Sequence, residues 1–433
     1  MARLGPTFVK LAQVLAARAD LIPEPYLAAL GTLTDRVPPL PFDRIARVLA
    51  ESYGANWAAL FERFDREPLA AGSLGQVYRA RYAGREVVVK VLRPGVGRTV
   101  AADLRAARRI LGAIDRSWPH PHVRAFRTVV DEFALRVAEE MDFRREAASA
   151  EEIGARFAGA TGVVVPRVAS ELTRDRALVL DFVEGTKIDA LAPRVAAGAL
   201  DAEALVRHLI TAYLRMMMVD GFFHADPHPG NLLVRDDGTL VILDFGMVVR
   251  VPRDTRVRLL RTVLAALRRD VHGVVGGFEA LGMVVPGTDP AQLRDLVGRL
   301  LDLAFSSAPG PEAVQLVAAE VMATLYDWPI VLPGELVYFA RAAALIEGVG
   351  ARYVPGFNPV TFAGPVVLRM RWRIAAALGE RIDPTPEDVA AAIGTVAGTA
   401  YRLVVTAGRE LARAFLEPRD PAPTADRPAA RSA

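Results

Sequence analysis

The hydrophobic and polar positions follow two different periods along the chain. Between about residue 60 and residue 183, short apolar runs rich in β-branched residues predict strands. The densest run, Val87-Val88-Val89-Lys90-Val91, is typical of a buried strand. The predicted strands of this part are Phe61–Phe64, Gly75–Tyr82, Glu86–Leu92, Val163–Pro166 and Ala177–Leu180.

Apolar residues at helical spacing predict helices on both sides of these strands and between them. The predicted helices are Pro6–Arg18, a second one ending near Leu33, Phe42–Tyr53, Ala101–Ile114 and one long helix at Thr128–Phe157. After Ala190 almost the whole chain is predicted to be helical. The exception is a strand pair, Leu232–Val234 and Val241–Leu243, joined by a turn at Asp236-Asp237-Gly238.

This order of elements predicts an α+β fold in which a sheet-containing part precedes a helical part. We expect a helical N-terminal extension at residues 1–58, a first lobe at 59–184 and a helical second lobe at 185–416. Residues 417–433 are rich in Pro, Ala, Arg and Asp, which is typical of a disordered tail.

Composition narrows the class of protein. The 433 residues are 52% hydrophobic and 24% charged, which is typical of a globular chain. The absence of cysteine excludes disulfides and thiolate metal sites. The net charge of +3 and the lack of a basic run argue against a nucleic-acid partner. No secretory signal is recognisable at the N-terminus, so we expect a cytoplasmic location. The stretch 389–408 is too rich in Gly and Ala for a clear membrane span and favours a buried or interfacial helix.

Two acidic motifs near the strand pair are spaced as phosphoryl transfer requires. Asp226 stands five residues before Asn231, and Asp244 begins Asp-Phe-Gly thirteen residues after Asn231. Asp226 is the candidate base or nucleophile-orienting residue, and Asn231 and Asp244 are candidate ligands of Mg²⁺, which prefers oxygen. Either motif alone is typical of a turn. Together, and in this register, they predict a kinase-like site.

Upstream residues supply the remaining parts of such a site. Lysine is scarce, since only three of the 53 basic residues are lysine, and Lys90 is one of them. It lies on the densest predicted strand, where a phosphate-contacting cation belongs, and its predicted carboxylate partner is Glu146. The loop from Ala70 to Gln76 includes Ala70, Ala71, Gly72 and Ser73, and its small residues would allow the backbone to approach phosphates.

These motifs resemble those of the UbiB/ADCK family of atypical kinases, also called the AarF-domain family. Leu4 to Gln13 resembles the KxGQ helix of that family, with Lys10 and Gln13 on one helical face. Ala70 to Ser73 resembles its alanine-rich loop, and Glu140-Met141-Asp142 its ExD motif. The catalytic loop of the family is matched by His224 to Asn231.

The resemblance implies a two-lobed, protein-kinase-like fold whose N-terminal extension packs over the active site. It implies ATP and Mg²⁺ as cofactors, with Asp181 and Val183 among the nucleotide-binding residues. Lys10 would pair with Glu140 or Asp142. It also implies slow hydrolysis or autophosphorylation that supports quinone or isoprenoid-lipid metabolism, with a lipid or quinone-precursor ligand and peripheral contact at the inner membrane.

The chain departs from the family pattern at the KxGQ glycine, which is Ala12, and at the third loop alanine, which is Gly72. Two alternatives stay open at this point. A small-molecule kinase of the aminoglycoside-phosphotransferase type shares the Asp and Asn pattern, but it lacks the KxGQ helix. A pseudokinase scaffold would bind nucleotide without turnover, and the complete set of motif residues argues against it.

Overall fold

The computed structural model describes residues 7, 38–117, 121–305, 330, 334–357 and 359–379. Within them the chain forms ten strands and eleven α-helices, together with short 3₁₀ segments. The strands are β1 (Arg63–Ala71), β2 (Gly75–Tyr82), β3 (Arg85–Leu92), β4 (Val163–Val164), β5 (Ala177–Asp181), β6 (Thr186–Lys187), β7 (Phe222–His224), β8 (Leu232–Val234), β9 (Leu240–Ile242) and β10 (Val248–Arg250). The helices are α1 (Phe42–Tyr53), α2 (Val96–Ser117), α3 (Pro121–Glu140), α4 (Phe143–Phe157), α5 (Ala192–Ala196), α6 (Ala202–Leu214), α7 (Arg253–Leu267), α8 (Val271–Ala280), α9 (Pro290–Phe305), α10 (Gly334–Tyr353) and α11 (Pro359–Leu378).

The first sheet is antiparallel, with the strand order β1-β2-β3-β5. Its alternating burial follows from the period of two along each strand, so that Val87, Val89 and Val91 all point into one core. Helix α1 covers that face with Ile45 and Leu49. β1 is an edge strand, where Pro68 is tolerated because the ladder shifts register on both sides of it.

Two further groups of strands bring the catalytic-loop region together. β4, β9, β8 and β6 form a second sheet, in which β8 and β9 are the predicted hairpin. Its turn is closed by Arg235 N–H donating to the carbonyl of Thr239 at 2.9 Å. β7 pairs with β10, so that His224 lies opposite Val248. The catalytic loop therefore lies between two short strand pairs.

Several predicted elements need correction. The single helix predicted at Thr128–Phe157 is two helices, α3 and α4, which are separated at Met141 and Asp142. Asp142 is extended (φ −111°, ψ 95°), and its carboxylate accepts from the Arg144 N–H at 3.1 Å, as an N-cap does. The stretch before Asp226, predicted to be a helix end, is strand β7, because the helical segment Arg215–Asp220 ends at Gly221 with φ +63°.

Other differences are smaller. The strand predicted at Phe61–Phe64 begins at Arg63 and runs to Ala71, so Ala70 and Ala71 belong to a strand and the loop is Gly72 to Leu74. The predicted boundary between residues 58 and 59 falls inside the 3₁₀ helix Trp57–Leu60. The division into lobes stays a prediction, and the stretches 389–408 and 417–433 lie outside the described residues. No helix in the described part of the chain is both long and apolar enough to cross a membrane.

Candidate active site

Lys90 and two carboxylates meet at the centre of the site. Lys90 Nζ lies 2.8 and 2.9 Å from the two carboxylate oxygens of Glu146 and 3.2 Å from Asp244 Oδ2. β3 presents Lys90 from the face opposite to its buried valines, and α4 presents Glu146 from its first turn. The Lys90 ammonium also lies 5.2 Å from the centre of the Phe143 ring. The ion pair between Lys90 and Glu146 predicted from the sequence is confirmed.

Burial and the neighbouring charges shift the pKa values of Lys90 and Glu146 in opposite directions. Burial alone would lower the pKa of the Lys90 ammonium, but the carboxylates of Asp244 and Glu146 outweigh it and raise that pKa. Burial raises the pKa of Glu146 to about 7, against the attraction of Lys90. The Lys90 ammonium therefore stays charged, and its attraction opposes the protonation of Glu146 that burial favours.

Removing the charge of Glu146 should destabilise the protein. Glu146 is 5% exposed, so Glu146→Gln leaves Lys90 with Asp244 as its acidic partner in this cluster and should lower the free energy of unfolding by about 3 kcal/mol. Urea unfolding would measure the change. The control is Glu139→Gln, whose pair with Arg145 at 2.9 Å is exposed and should contribute less than about 1 kcal/mol. Equal losses in the two variants would contradict this account.

Asp244 is held in an uncommon backbone conformation. Its φ is +56°, in the left-handed region that Asp tolerates better than most residues. Its Oδ1 accepts from the Gly246 N–H at 3.1 Å, while Oδ2 faces Lys90. Phe245, the middle residue of Asp-Phe-Gly, is buried against the edge of His224 with the ring centres 5.9 Å apart. The turn therefore directs the Asp244 carboxylate toward Lys90 while Phe245 anchors it in the core.

His224 and Tyr213 hold this turn in place, and the sequence analysis assigned an individual role to neither. The fully buried His224 places Nε2 at 2.8 Å from the carbonyl of Asp244 and Nδ1 at 3.2 Å from Tyr213 Oη. Burial lowers the pKa of His224 and raises that of Tyr213. A neutral imidazole with its proton on Nε2 satisfies both contacts, because Nε2–H donates to the carbonyl and the tyrosine hydroxyl donates to Nδ1.

Asp226 and Asn231 are joined within the catalytic loop. Asn231 Nδ2 donates to the Asp226 carboxylate at 3.1 Å and to its carbonyl at 3.2 Å. The amide nitrogen is thereby committed to Asp226, so the amide oxygen is the atom that Asn231 can turn to a metal ion. The loop between them ends in a short 3₁₀ turn, Pro229–Asn231, which brings Asn231 back toward Asp226.

The loop Gly72 to Leu74 is tied down by Arg93, a residue that the sequence analysis did not single out. Arg93 follows β3 directly; its backbone N–H donates to Leu74 O at 2.8 Å and its Nε to Gly72 O at 2.8 Å. Its second guanidinium nitrogen donates to Pro38 O at 2.9 Å. One buried arginine therefore links the loop to the segment that leads into α1. The signal in the sequence that could have indicated this role was an arginine directly after the strand that carries Lys90.

The residues of this site fit MgATP. The Asp244 carboxylate and the Asn231 amide oxygen would supply hard oxygen ligands of the kind that Mg²⁺ prefers. Within the described part of the chain, Ser73 Oγ in the loop is buried without a hydrogen-bond partner, and it is a donor that a phosphate oxygen would satisfy. Lys90 adds a fixed positive charge at the point where phosphates would lie.

Comparison with known proteins agrees with this geometry. The sequence model of the ABC1 atypical kinase-like domain matches residues 32–276, more than half of the chain. This chain belongs to the ABC1 atypical kinase-like family. The resemblance to the UbiB/ADCK family that the motifs indicate is thereby confirmed, as is the kinase-like fold.

Individual ABC1 relatives match most of this chain. An uncharacterized protein of Synechocystis is 34% identical over 85% of this chain and 63% of its own length. The Arabidopsis thaliana protein Activity of BC1 complex kinase 8, chloroplastic, is 31% identical over 85% of this chain and 53% of its own length. The chain thus spans between about half and two thirds of these relatives. Among solved structures, Rv3197 of Mycobacterium tuberculosis, in complex with erythromycin, is 26% identical with a TM-score of 0.56, covering 81% of this chain and 91% of that one.

Four further predicted residues lie at the ends of elements or in a connection. Asp142 caps α4, and its hydrogen bond with the Arg144 side chain lowers its pKa, while Glu140 is the last residue of α3. Asp181 ends β5 and pairs with Arg85 at 2.6 Å, and Val183 follows in the connection to β6. Their contacts with nucleotide stay predictions.

Lys10 and Gln13 lie outside the described residues. Thr7, from the same KxGQ-like motif, donates from Oγ1 to Asp103 on α2 at 2.6 Å.

Proposed function

We propose that this ABC1 domain binds MgATP and hydrolyses it or transfers its γ-phosphoryl group. The observation that supports this most directly is the cluster of Lys90, Glu146 and Asp244 within 3.2 Å of the lysine nitrogen. Three separate parts of the chain, β3, α4 and the Asp-Phe-Gly turn, supply these side chains. Such convergence of one cation and two carboxylates is the arrangement that phosphoryl transfer needs.

The residues take the following roles in this proposal. Bound MgATP would supply the phosphoryl group and the metal charge that stabilises its transfer. Lys90, oriented by Glu146, binds the phosphates, and Asn231 and Asp244 bind Mg²⁺ through oxygen. Asp226 orients the attacking hydroxyl or water and accepts its proton at the carboxylate. The backbone of Ala70, Ala71, Gly72 and Ser73 covers the phosphates. Asp181 and Val183 contact the adenine base through their main chain, because the Asp181 carboxylate is already paired with Arg85.

The N-terminal segment completes the proposed site. We assign to Lys10 and Gln13 a position facing the nucleotide, with Lys10 paired to Glu140 or Asp142. The contact between Thr7 and Asp103 supports this, because it places Thr7 of the KxGQ-like motif at α2, the helix that follows β3 and Arg93. In this arrangement the segment occludes the space where a protein substrate would bind, so a small acceptor or water is favoured.

The experiment that tests the nucleotide proposal is binding and turnover of ATP by the whole chain. We expect a saturable rise in melting temperature with MgATP, a smaller rise with ATP and EDTA, and slow release of phosphate. No difference between MgATP and ATP with EDTA would contradict the proposal. Nucleotide binding without any phosphate release or autophosphorylation would instead favour the pseudokinase alternative.

A finer proposal concerns the process that this activity serves. On the family relationship we propose a role in quinone or isoprenoid-lipid metabolism, with peripheral contact at a membrane surface. ATP turnover should then rise in the presence of anionic liposomes together with a phenol that resembles a quinone precursor. A turnover rate that responds to neither addition would favour a kinase acting away from membranes.

A further inference from the structure

A cavity of about 450 Å³ lies directly beside the catalytic loop. One wall is Pro227, His228 and Pro229, the three residues that follow Asp226. The opposite wall is the last part of α10, from Ala344 to Tyr353, and the floor includes Ile188. None of the roles assigned above involves this space. Its volume is in the range of sites that bind small molecules.

The walls of the cavity are fixed relative to each other. Tyr353 Oη accepts from the Leu191 N–H at 3.2 Å, which holds the end of α10 against the segment next to Ile188. Phe339, about four turns before Tyr353 on α10, packs edge-on against Phe223 of β7 with the ring centres 5.3 Å apart. β7 leads directly into the catalytic loop. The cavity is therefore preformed by packing on both sides.

The lining combines an apolar interior with polar groups near the opening. Ile188 and Val349 are buried, and Leu345, Pro227 and Pro229 extend the same apolar surface. The exposed polar residues are Asp189, His228 and Arg352. His228 Nδ1 accepts from the Gly230 N–H at 3.0 Å, so in the neutral imidazole Nε2 bears the proton and is free to donate. A ligand with an apolar body and one hydroxyl matches this lining better than a charged one.

We propose that this cavity binds the apolar body of the phosphoryl acceptor, an alcohol of about the size of two fused rings. The proposal rests on the function proposed above, because it takes Asp226 as the base. The lining includes Pro227, the residue after Asp226, so a ligand in the cavity lies against the loop that carries this carboxylate. The acceptor would thus be positioned by the catalytic loop and α10 together.

The proposed phosphoryl transfer needs no reactant other than the alcohol and ATP. The hydroxyl oxygen of the alcohol forms a bond to the γ-phosphorus of ATP, and the bond from that phosphorus to the β,γ-bridging oxygen breaks. The hydroxyl proton goes to the Asp226 carboxylate and from there to solvent. The products are a phosphate monoester and ADP.

Gly348 offers a direct way to fill the cavity. It lies on α10 within the lining, and a Cβ at this position would meet no atom within 4 Å. Gly348→Leu should therefore occupy the cavity without a clash, and it replaces a helical glycine by a better helix former. The matched control is Gly298→Leu on α9, where a Cβ also meets no atom within 4 Å. Ala344→Leu, one turn earlier in the lining, is a second variant in case the first fails to fold.

The probe is naphthalen-2-ylmethanol, whose binding can be followed by naphthalene fluorescence. We expect saturable binding that Gly348→Leu or Ala344→Leu weakens by at least about tenfold and that Gly298→Leu leaves unchanged. With ATP and Mg²⁺, mass spectrometry should detect the phosphate monoester of the probe. The methyl ether of the same probe should compete for binding but yield no phosphorylated product, because it has no hydroxyl.

The outcomes separate this proposal from the function on which it rests. Unchanged probe affinity in a folded cavity variant overturns the site. Cavity-dependent binding of the alcohol without the monoester, in a protein that hydrolyses ATP, overturns its role as the acceptor site. MgATP affinity is measured on the same variants and should match the unmodified chain, since the nucleotide residues are not in the lining. Absence of MgATP binding in the unmodified chain contradicts the proposed function, whereas the cavity variants Gly348→Leu and Ala344→Leu test probe binding independently of it.

Discussion

Replacing Asp226 by asparagine should stop turnover and leave nucleotide binding intact. Loss of a positioned base typically lowers a rate by about 10²- to 10⁴-fold. The substitution is conservative in structure, because an amide oxygen at this position can still accept from Asn231 Nδ2, as the carboxylate does at 3.1 Å. Phosphate release and autophosphorylation measure turnover, and the melting-temperature rise with MgATP measures binding.

The control for this variant is Asp236→Asn, which makes the same chemical change in the turn of the neighbouring hairpin. Asp236 is fully exposed, and its nearest cation, Arg194, is 3.9 Å away. We expect turnover in this variant to equal that of the unmodified chain. If Asp226→Asn retains turnover, another group must accept the proton, and the assignment of Asp226 is wrong.

Much of the fold could be predicted because its signals are local. Helix α1 and strand β2 have the bounds that the sequence predicts, Phe42–Tyr53 and Gly75–Tyr82. The first is a clear amphipathic repeat, and in the second buried positions alternate with partly buried ones over most of the strand. The hairpin of β8 and β9 is marked by Asp236-Asp237-Gly238, where Gly238 has φ +82°. In each case the deciding interaction lies within about ten residues.

The errors arise where distant contacts decide the structure. β7 and β10 are three residues each and pair across 24 positions, and periodicity cannot distinguish such short apolar runs from helix. The break between α3 and α4 is stabilised from afar as well, since the Phe143 N–H donates to the Asp175 carbonyl at 2.9 Å. A local signal was nevertheless present in Asp142, a good N-cap residue in the middle of the predicted helix.

The residues of the candidate site also divide into those with a local sequence signal and those whose role depends on distant contacts. Spacing alone indicated Asp226, Asn231 and Asp244, and lysine scarcity singled out Lys90, because each motif is short and its chemistry is specific. The supporting residues His224, Tyr213 and Arg93 were not predicted, since their roles depend on tertiary contacts that no spacing records. The cavity beside Pro227 combines α10 with a loop more than a hundred residues earlier, which places it beyond sequence reasoning.

Replacing Asp244 by asparagine should abolish the magnesium-dependent part of nucleotide binding. Asparagine tolerates the left-handed backbone at this position as aspartate does, so the φ of +56° can be kept and the turn should survive. What changes is the charge, because a neutral amide is a poor ligand for Mg²⁺ compared with a carboxylate. The rise in melting temperature with MgATP should then equal the rise with ATP and EDTA.

The stability of this variant separates the metal role from a structural one. The Asp244 side chain is 44% exposed, and Lys90 keeps its contacts with Glu146 at 2.8 and 2.9 Å, so the melting temperature without nucleotide should change far less than in Glu146→Gln. If Asp244 mainly holds Lys90 in place, the two variants should instead lose stability alike. A full magnesium-dependent shift in Asp244→Asn would show that this carboxylate is not the metal ligand. Under the proposed function Lys90 would thus connect two separable roles, a structural pair with Glu146 and a nucleotide site that depends on Asp244.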